Sequence, residues 1–366
     1  MPRVVHTIQI TNDKIPKHNF VTDGDRIYVG ETRSGHWVIS QVSTVGGETE
    51  QIPTPFPNVQ IFDIAPNHSD LLVGSFANDT ETELTVWLLP LPFGAPRRLA
   101  DVVAHDARWS RDGRQIIYAN GSSLYLINSD GSDDHKLITV NGVPFGPVFS
   151  PTNEHLRFYI AEARSASLSS LWEVSVDGTG LRPLFDNRNR PLQECCGEWM
   201  FGGRYFVFQS TEYNLSSIWI QAERGGAFHK RSSEPVQVTN GPLSFFYPIP
   251  GLDGGKLLVL GRQNRGELVH YDDRSRQFVP YLDGISATQV DTSRDGQWVA
   301  YVFRRMFCGE VKWMVRSDYN LAIHRWRFPC LTGHLMGSKL RSWAQSMEAR
   351  GRCFWFLPEA ETLRSS

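Results

Sequence analysis

Short runs of alternating apolar and polar residues recur along most of the chain. Three clear examples are residues 115–119, 156–160 and 205–209, and a polar loop follows each of them. Alternation with a period of two places every second side chain on the same face of a pleated strand. Before position 300, no stretch sustains a helical period of 3.6 residues. The pattern therefore predicts an all-β protein built from many short strands.

The predicted strands belong to a repeated unit. Residues 107–137, 147–184 and 198–238 each open with an aromatic residue and a turn, continue through two strands, and turn again at a glycine. The second turns hold Asp130-Gly131, Asp177-Gly178 and Gly225-Gly226. Asp-Gly between apolar runs predicts a hairpin with a type I′ turn, in which both central residues need positive φ. Weaker copies of the unit flank these three.

The repeat predicts a β-propeller of four-stranded blades, since the units are spaced by roughly forty to fifty residues, as propeller blades are. A helical solenoid would show the missing 3.6-residue period, and a sandwich would not repeat one turn at a constant offset. We place the propeller in residues 1–302, with six blades and a partial seventh. They lie near 20–52, 58–99, 104–139, 143–184, 194–239, 243–281 and, for the partial blade, 284–302.

Composition excludes several function classes. The formal net charge of the 366 residues is −2, so the chain has no basic field to attract nucleic acid or an anionic membrane. Residues 1–14 lack the apolar core of a signal peptide, and no run approaches the roughly 20 apolar residues of a membrane span. We therefore expect a chain without nucleic-acid or membrane contacts of its own.

Five cysteines do not form a disulfide framework at this length. Cys195 and Cys196 are neighbours, and the other three lie in the last sixty residues. Neighbouring cysteines can close a strained ring or bind a metal, but no second ligand pair with zinc spacing accompanies them. We interpret them as two inert, half-buried thiols.

One motif points to a known family. The sequence W-S-x-D-G at 109–113, with relatives at 149–151 and 293–296, resembles the WD40-like repeats of TolB-type propellers over residues 20–302. The stretches VVAHDARWS, ECCGEW, GRYFVFQST and SRDGQWVAYV are also similar to one bacterial group. In that group the propeller is the C-terminal part of a membrane-anchored regulator with a winged-helix or protein-kinase domain. The resemblance implies the sensor-like part alone. The compartment stays unknown: without a signal peptide or membrane span we expect a cytoplasmic chain as given, and an extracytoplasmic one if it derives from such a regulator.

The sequence offers few groups for chemistry. Similar propellers accompany serine peptidases, which need a G-x-S-x-G nucleophile elbow, and this sequence has none. We therefore expect no catalytic residue, no cofactor and no metal ligand. The Asp-Gly pairs lack the spacing of calcium loops, so we interpret them as turns. The tryptophans 109, 172, 199 and 219 recur at fixed places in the repeat, which predicts core packing between blades.

His105 and Asp106 are the candidates for contacts in the channel or at its rim. They precede the first strand of the third repeat, where blades often face the central channel. A histidine beside a carboxylate can bind metal or transfer protons. We favour the simpler interpretation, a hydrogen bond between blades.

The predicted function is a non-catalytic binding or sensor-type module, a truncated part of a larger regulator, that engages an unidentified protein or small ligand. One alternative is a non-functional frameshifted remnant. The other is the propeller of a serine peptidase without its catalytic domain.

The remnant alternative comes from the last 64 residues. From Phe303 onward, 11 residues are Lys or Arg and 5 are Asp or Glu, and the Asp-Gly turn disappears. If the reading frame is shifted back by one base, Met314 and Val315 necessarily become aspartate and glycine. With permitted third bases, residues 308–315 then become LWRGKVDG, which matches LWEVSVDG at 171–178. We therefore predict that residues 303–366 are an out-of-frame translation without a native blade of their own.

Overall fold

A computed structural model describes the backbone of most of the chain. The described residues are 4, 6–92, 94–162, 165–185, 193–212, 215–223, 234–240, 243–252, 254–262, 269–281, 289–292, 298–305, 308–317 and 320–327. They form strands and turns, with one short 3₁₀ turn at Phe201–Gly203. Within these residues no helix has the length and apolarity needed to cross a membrane. By contacts the chain divides into two units, 1–263 and 264–366.

Three antiparallel four-stranded sheets begin the first unit. Sheet 1 consists of β1 (Lys17–Thr22), β2 (Arg26–Arg33), β3 (His36–Ser43) and β4 (Glu50–Ile52). Sheet 2 consists of β5 (Asn58–Ile64), β6 (Asp70–Phe76), β7 (Leu84–Pro90) and β8 (Arg97–Ala104). Sheet 3 consists of β9 (Asp106–Trp109), β10 (Gln115–Asn120), β11 (Ser123–Asn128) and β12 (His135–Thr139).

Two more sets of four strands and one hairpin complete that unit. Sheet 4 consists of β13 (Val143–Phe149), β14 (His155–Glu162), β15 (Ser165–Ser175) and β16 (Arg182–Pro183). Sheet 5 consists of β17 (Gln193–Met200), β18 (Tyr205–Glu212), β19 (Leu215–Ala222) and β20 (Val236–Gln237). A single parallel pairing, Ser169 with Gln193, connects these two sheets. Sheet 6 is the hairpin of β21 (Ser244–Pro250) and β22 (Leu257–Arg262).

The second unit has one hairpin and one four-stranded sheet. The hairpin pairs β23 (Val269–Asp272) with β24 (Gln277–Pro280). The sheet consists of β25 (Gln289–Thr292), β26 (Trp298–Arg305), β27 (Cys308–Ser317) and β28 (Asn320–Arg327). Strands β27 and β28 fall in the segment for which we expect no native blade. Strand pairing in this segment does not test the reading frame from which the segment was translated. The expectation of an out-of-frame segment without a native blade therefore stays a prediction.

The second strand of sheet 3 shows how neighbouring sheets of the first unit pack against each other. In β10, Ile116 and Tyr118 point to sheet 2, whereas Ile117 and Ala119 point to sheet 4. The two faces of a strand carry alternate residues, so a strand buried on both faces is apolar throughout. Each such large side chain contributes about 1.5–3 kcal/mol when fully buried.

Six apolar clusters lie between successive sheets of the first unit. They join sheet 1 to 2, 2 to 3, 3 to 4, 4 to 5, 5 to 6 and, through Phe20, Ile249 and Leu258, sheet 6 back to sheet 1. The first strands follow the same cycle, because β1, β5, β9, β13, β17 and β21 contact one another in order and β21 contacts β1. All four predicted tryptophans pack against these clusters: Trp109, Trp172, Trp199 and Trp219. The predicted fold class, an all-β propeller, is confirmed.

Within the described residues, β21–β22 and β23–β24 are two separate pairs. The bounds of the sixth blade and the total number of blades stay predictions. The prediction of type I′ turns is wrong for Asp130-Gly131 and Asp177-Gly178, whereas Gly225-Gly226 lies outside the described residues. Gly131 and Gly178 have φ of 92° and 80°, but neither preceding aspartate has positive φ. The N–H of each glycine donates to the carbonyl three residues earlier, at Asn128 or Ser175, and the glycine ends a three-residue hairpin loop.

Candidate functional site

The turns between the first and second strands meet at one end of the first unit. Gly113 of the third turn lies beside Pro66 of the second, and Gly24 of the first lies beside Leu252 of the sixth. The backbone N–H of Arg111 donates to Asn153 Oδ1 of the fourth turn at 3.0 Å. We call this end the turn face. Its side chains include the exposed Phe201 and Leu252.

Close approach at the turn face demands glycine at one position. Gly203 has φ of 91°, and a Cβ there would lie 2.8 Å from Pro151 Cγ of the neighbouring turn. Both the conformation and the contact exclude a larger residue. The fourth and fifth turns are therefore fixed against each other.

A cluster of four charged side chains lies just inside the turn face, and we call it the arginine cluster. It consists of Asp63 at the end of β5, Arg108 on β9, Arg111 in the third turn and Glu198 on β17. Arg108 Nη1 donates to Glu198 Oε1, and Arg111 Nη2 donates to Glu198 Oε2 at 3.2 Å. Since Arg108 belongs to sheet 3 and Glu198 to sheet 5, this bridge passes the first strand of sheet 4. It spans the space that the first strands enclose.

Burial and neighbouring charge determine the electrostatics of this cluster. Burial raises the pKa of Asp63, although Arg108 and the N–H of Trp109, which donates to Asp63 at 2.9 Å, act against the shift. Burial and the nearby Arg108 lower the pKa of Arg111. The Glu198 side chain is 8% exposed, but that of Arg111 is 45% exposed. The cluster thus presents one guanidinium to solvent, with positive charge in excess whenever Asp63 is protonated.

None of these four residues was predicted from the sequence, although the repeat carries a signal for three of them. Asp63, Arg108 and Glu198 each lie two positions before the residue that opens the first turn, which is Ala65, Ser110 or Met200. Equivalent positions of a repeat occupy equivalent places in the cycle of sheets. Oppositely charged residues at the same position of different repeats therefore indicate side chains that meet in the space enclosed by the first strands.

The predicted candidates His105 and Asp106 lie at the opposite end of β9, away from the first turn. His105 Nε2 donates to Pro144 O of sheet 4 at 2.7 Å, and Nδ1 lies 2.9 Å from Oε1 of Glu83, in the loop before β7. Burial alone would lower the pKa of His105, but these two acceptors raise it. Asp106 Oδ2 accepts the N–H of Gly146 at 2.7 Å, and burial raises its pKa. Both side chains make hydrogen bonds between blades, the simpler of the two interpretations.

Cys195 and Cys196 form a disulfide, so the interpretation as two inert thiols is wrong. Regular alternation would place adjacent side chains on opposite faces of β17. The strand instead has a bulge between Cys195 and Glu198, and Cys196 has φ of 57°. A bulge redirects side chains locally, which brings the two sulfur atoms together.

Other candidate sites are weaker. A crevice of about 460 Å³ between sheets 2 and 3 is lined by Asp70, Arg97, Trp109 and Asp112, among others. In the part of the chain that the structure describes, no group of three or more His, Cys, Asp or Glu side chains could hold a metal ion. We therefore take the arginine cluster as the candidate functional site among the described residues.

No protein-family model matches the sequence, and no curated protein matches it. Solved structures do resemble it. TolB from Acinetobacter baumannii is 13% identical, with a TM-score of 0.41, over 87% of this chain and 79% of that one. Oligogalacturonate lyase from Vibrio parahaemolyticus is 11% identical, with a TM-score of 0.46, over 87% and 92%.

A third similar structure is a puromycin-hydrolysing peptidase from Mycobacterium tuberculosis, which is 14% identical with a TM-score of 0.47. The match covers 85% of this chain but 53% of the peptidase, so this chain spans about half the length of that protein. At such identities the likeness concerns the fold, and the activities of these proteins are their own.

Proposed function

We propose that the chain is a non-catalytic binding module that recognises a carboxylate at the arginine cluster. The observation that carries the proposal is the pair of guanidinium groups, Arg108 and Arg111, held on one buried carboxylate with Arg111 partly exposed. Guanidinium binds carboxylates through two parallel hydrogen bonds and keeps its charge at all relevant pH values. The cluster offers such a group at a fixed position.

Glu198 positions the arginines in this proposal. It accepts from both of them through different oxygen atoms, which restricts the rotamers of two long side chains before a ligand arrives. Preorganisation of this kind increases affinity because less side-chain entropy is lost on binding. The remaining N–H groups of Arg111 then meet the carboxylate of the ligand.

Asp63 makes the proposed site sensitive to pH. When protonated it leaves two guanidinium groups facing the single carboxylate of Glu198, and when ionised it cancels the excess charge. Since burial raises its pKa, the affinity for a carboxylate should fall as the pH rises through that value. Asp63→Asn should remove this contribution and bind at least as tightly as the wild type at high pH.

The carboxylate can come from a partner protein or from a small acid, and a titration distinguishes these sources. Isothermal titration calorimetry would use glutarate and tricarballylate as small acids, and a peptide with an acidic C-terminus as the protein mimic. Tighter binding of the peptide would favour a protein partner, because its remaining residues can contact the exposed Phe201 and Leu252 of the turn face.

Arg111→Gln tests the site itself. It keeps hydrogen-bond donors but removes the charge, and we expect a loss of affinity of about tenfold or more. Arg114→Gln is the matched control, since Arg114 is exposed in the same turn and makes no contact with Glu198 through any described hydrogen bond. Equal losses in both variants, or no binding of any probe by the wild type, would contradict the proposal.

The non-catalytic part of the proposal has its own test. The sequence has no nucleophile elbow, so we expect no turnover of fluorogenic peptides or p-nitrophenyl esters above buffer. Turnover that a single Ser→Ala substitution abolishes would favour the peptidase alternative instead.

A further inference from the structure

The disulfide between Cys195 and Cys196 lies where the fold itself brings the two sulfur atoms together. Bulges occur at the matching place in the first strands of sheets 4, 5 and 6, between Phe145 and Val148, Cys195 and Glu198, and Phe246 and Ile249. The first extra residue of each has a left-handed backbone, with φ of 57° at Gly146, 57° at Cys196 and 51° at Tyr247. Two of these three bulges have no cysteine. The geometry at Cys196 therefore belongs to the blade and does not depend on the S–S bond.

This disulfide is poorly suited to stabilising the fold. A disulfide acts mainly by closing a loop in the unfolded chain, and its effect grows with the length of that loop. Adjacent residues enclose almost no loop. Both cysteines are also only half-buried, so a small reagent can reach them.

We infer that Cys195 and Cys196 form a thiol–disulfide exchange site that opens and closes within the folded protein. A small dithiol is the reductant. One of its thiolates bonds to one cysteine sulfur and breaks the Cys195–Cys196 bond; its second thiol then displaces that cysteine and closes a cyclic disulfide. Two electrons and two protons pass to the cysteines, which end as thiols.

The reduced site should bind reagents that need two adjacent thiols. Because the bulge persists without the S–S bond, both sulfur atoms stay close together. A trivalent arsenical such as phenylarsine oxide can then form two As–S bonds while its oxygen leaves as water. This inference does not rest on the proposed carboxylate site, and it concerns a different pair of side chains.

The experiment uses the full chain under native conditions. Protein purified without reductant is treated with dithiothreitol, then with iodoacetamide or phenylarsine oxide, and the tryptic peptide 189–204, which contains both cysteines, is analysed by mass spectrometry. We expect no alkylation of this peptide before reduction and two added groups after it. Intact-mass and peptide measurements should show one arsenical bound at this peptide. Diamide should close the disulfide again, with loss of two hydrogen atoms.

Folding is followed in parallel, with Cys195→Ser and Cys196→Ser as controls. Reduction should leave the circular dichroism spectrum unchanged and lower Tm by less than about 4 °C. Each single variant should fold, react with one iodoacetamide at this peptide and bind no arsenical there. Free thiols before reduction, a requirement for denaturant, or unfolding on reduction would each overturn the inference.

Discussion

At the scale of single residues, Asp63 connects stability with pH. Burial raises its pKa in the folded state above the unfolded value of about 3.9. The stability that depends on its neutral form is complete below that value and is lost as the pH rises through the folded pKa. We therefore expect Asp63→Asn to lose less unfolding free energy than the wild type as the pH rises above about 4.

Urea denaturation at a series of pH values measures this difference. Asp106 also has a raised pKa and titrates in both proteins, so the variant should show a smaller pH dependence and not a vanishing one. Asn can still accept the N–H of Trp109, which keeps the contact between sheets. If the unfolding free energy of both proteins depended on pH in the same way, the raised pKa of Asp63 would not contribute to stability.

Cys196 gives a second residue-scale prediction. Its φ of 57° suits glycine, which occupies the matching position in sheet 4 as Gly146. Cys196→Gly should therefore be more stable than Cys196→Ser by about 1 kcal/mol. Both variants lack the disulfide, so denaturation curves of the two isolate the backbone effect. A Gly variant that is no more stable than the Ser variant would refute a fold-imposed bulge.

At the scale of elements, Arg157 on β14 holds sheets 4 and 5 together. It is 5% exposed, donates to Glu173 at 2.8 Å and to Glu223 at 2.7 and 3.0 Å, and lies 4.0 Å from the ring of Trp199. Removing one partner of a buried ion pair leaves an uncompensated charge, so Arg157→Ala should cost about 3–5 kcal/mol of unfolding free energy.

The matched control for Arg157 is Arg182→Ala. Arg182 also donates to Glu173, at 2.5 Å, but its side chain is 70% exposed. Solvent screens such a pair, and the expected cost is at most about 1 kcal/mol. Chemical denaturation compares the two variants directly. A smaller loss for Arg157→Ala than for Arg182→Ala would mean that the buried pair contributes little.

The elements themselves could largely be predicted from the sequence, because alternation and glycine are local signals. The strand at 115–119 and the turn at Gly131 follow from the residues alone. The prediction of a type I′ turn at Asp130-Gly131 was wrong, because the same dipeptide also suits a three-residue hairpin loop. The bulge at Cys196 could not be predicted, because an extra residue only interrupts the alternation and leaves no signal of its own. The disulfide was missed for that reason.

At the scale of the whole molecule, the repeat predicted the propeller but not the site. Repeat spacing indicates how many sheets follow one another, whereas contacts between distant sheets depend on how the cycle closes. The bridge from Arg108 to Glu198 joins sheets 3 and 5. Turns and aromatic residues, which reveal the repeat, carry no information about this bridge; only the charges at one repeat position do. His105 and Asp106 were noted for their chemistry and make contacts between blades.

We also propose that residues 303–366 are an out-of-frame translation of further blade sequence. The DNA from upstream of the coding region to the stop codon decides this. We expect the alternative frame after codon 302 to be open. It should encode VDG at positions 313–315 and WSPDG at positions 333–337, a blade opening of the same type as W-S-x-D-G at 109–113. Stop codons in that frame would exclude a frameshift and leave a genuine basic extension.

A crystal structure of the protein with the carboxylate that binds most tightly would decide whether the arginine cluster is a carboxylate site. We expect a ligand carboxylate within about 3.2 Å of the Arg111 guanidinium, with Glu198 still accepting from Arg108. A carboxylate bound elsewhere, or a ligand that displaces Glu198 from both arginines, would rule out the site as proposed.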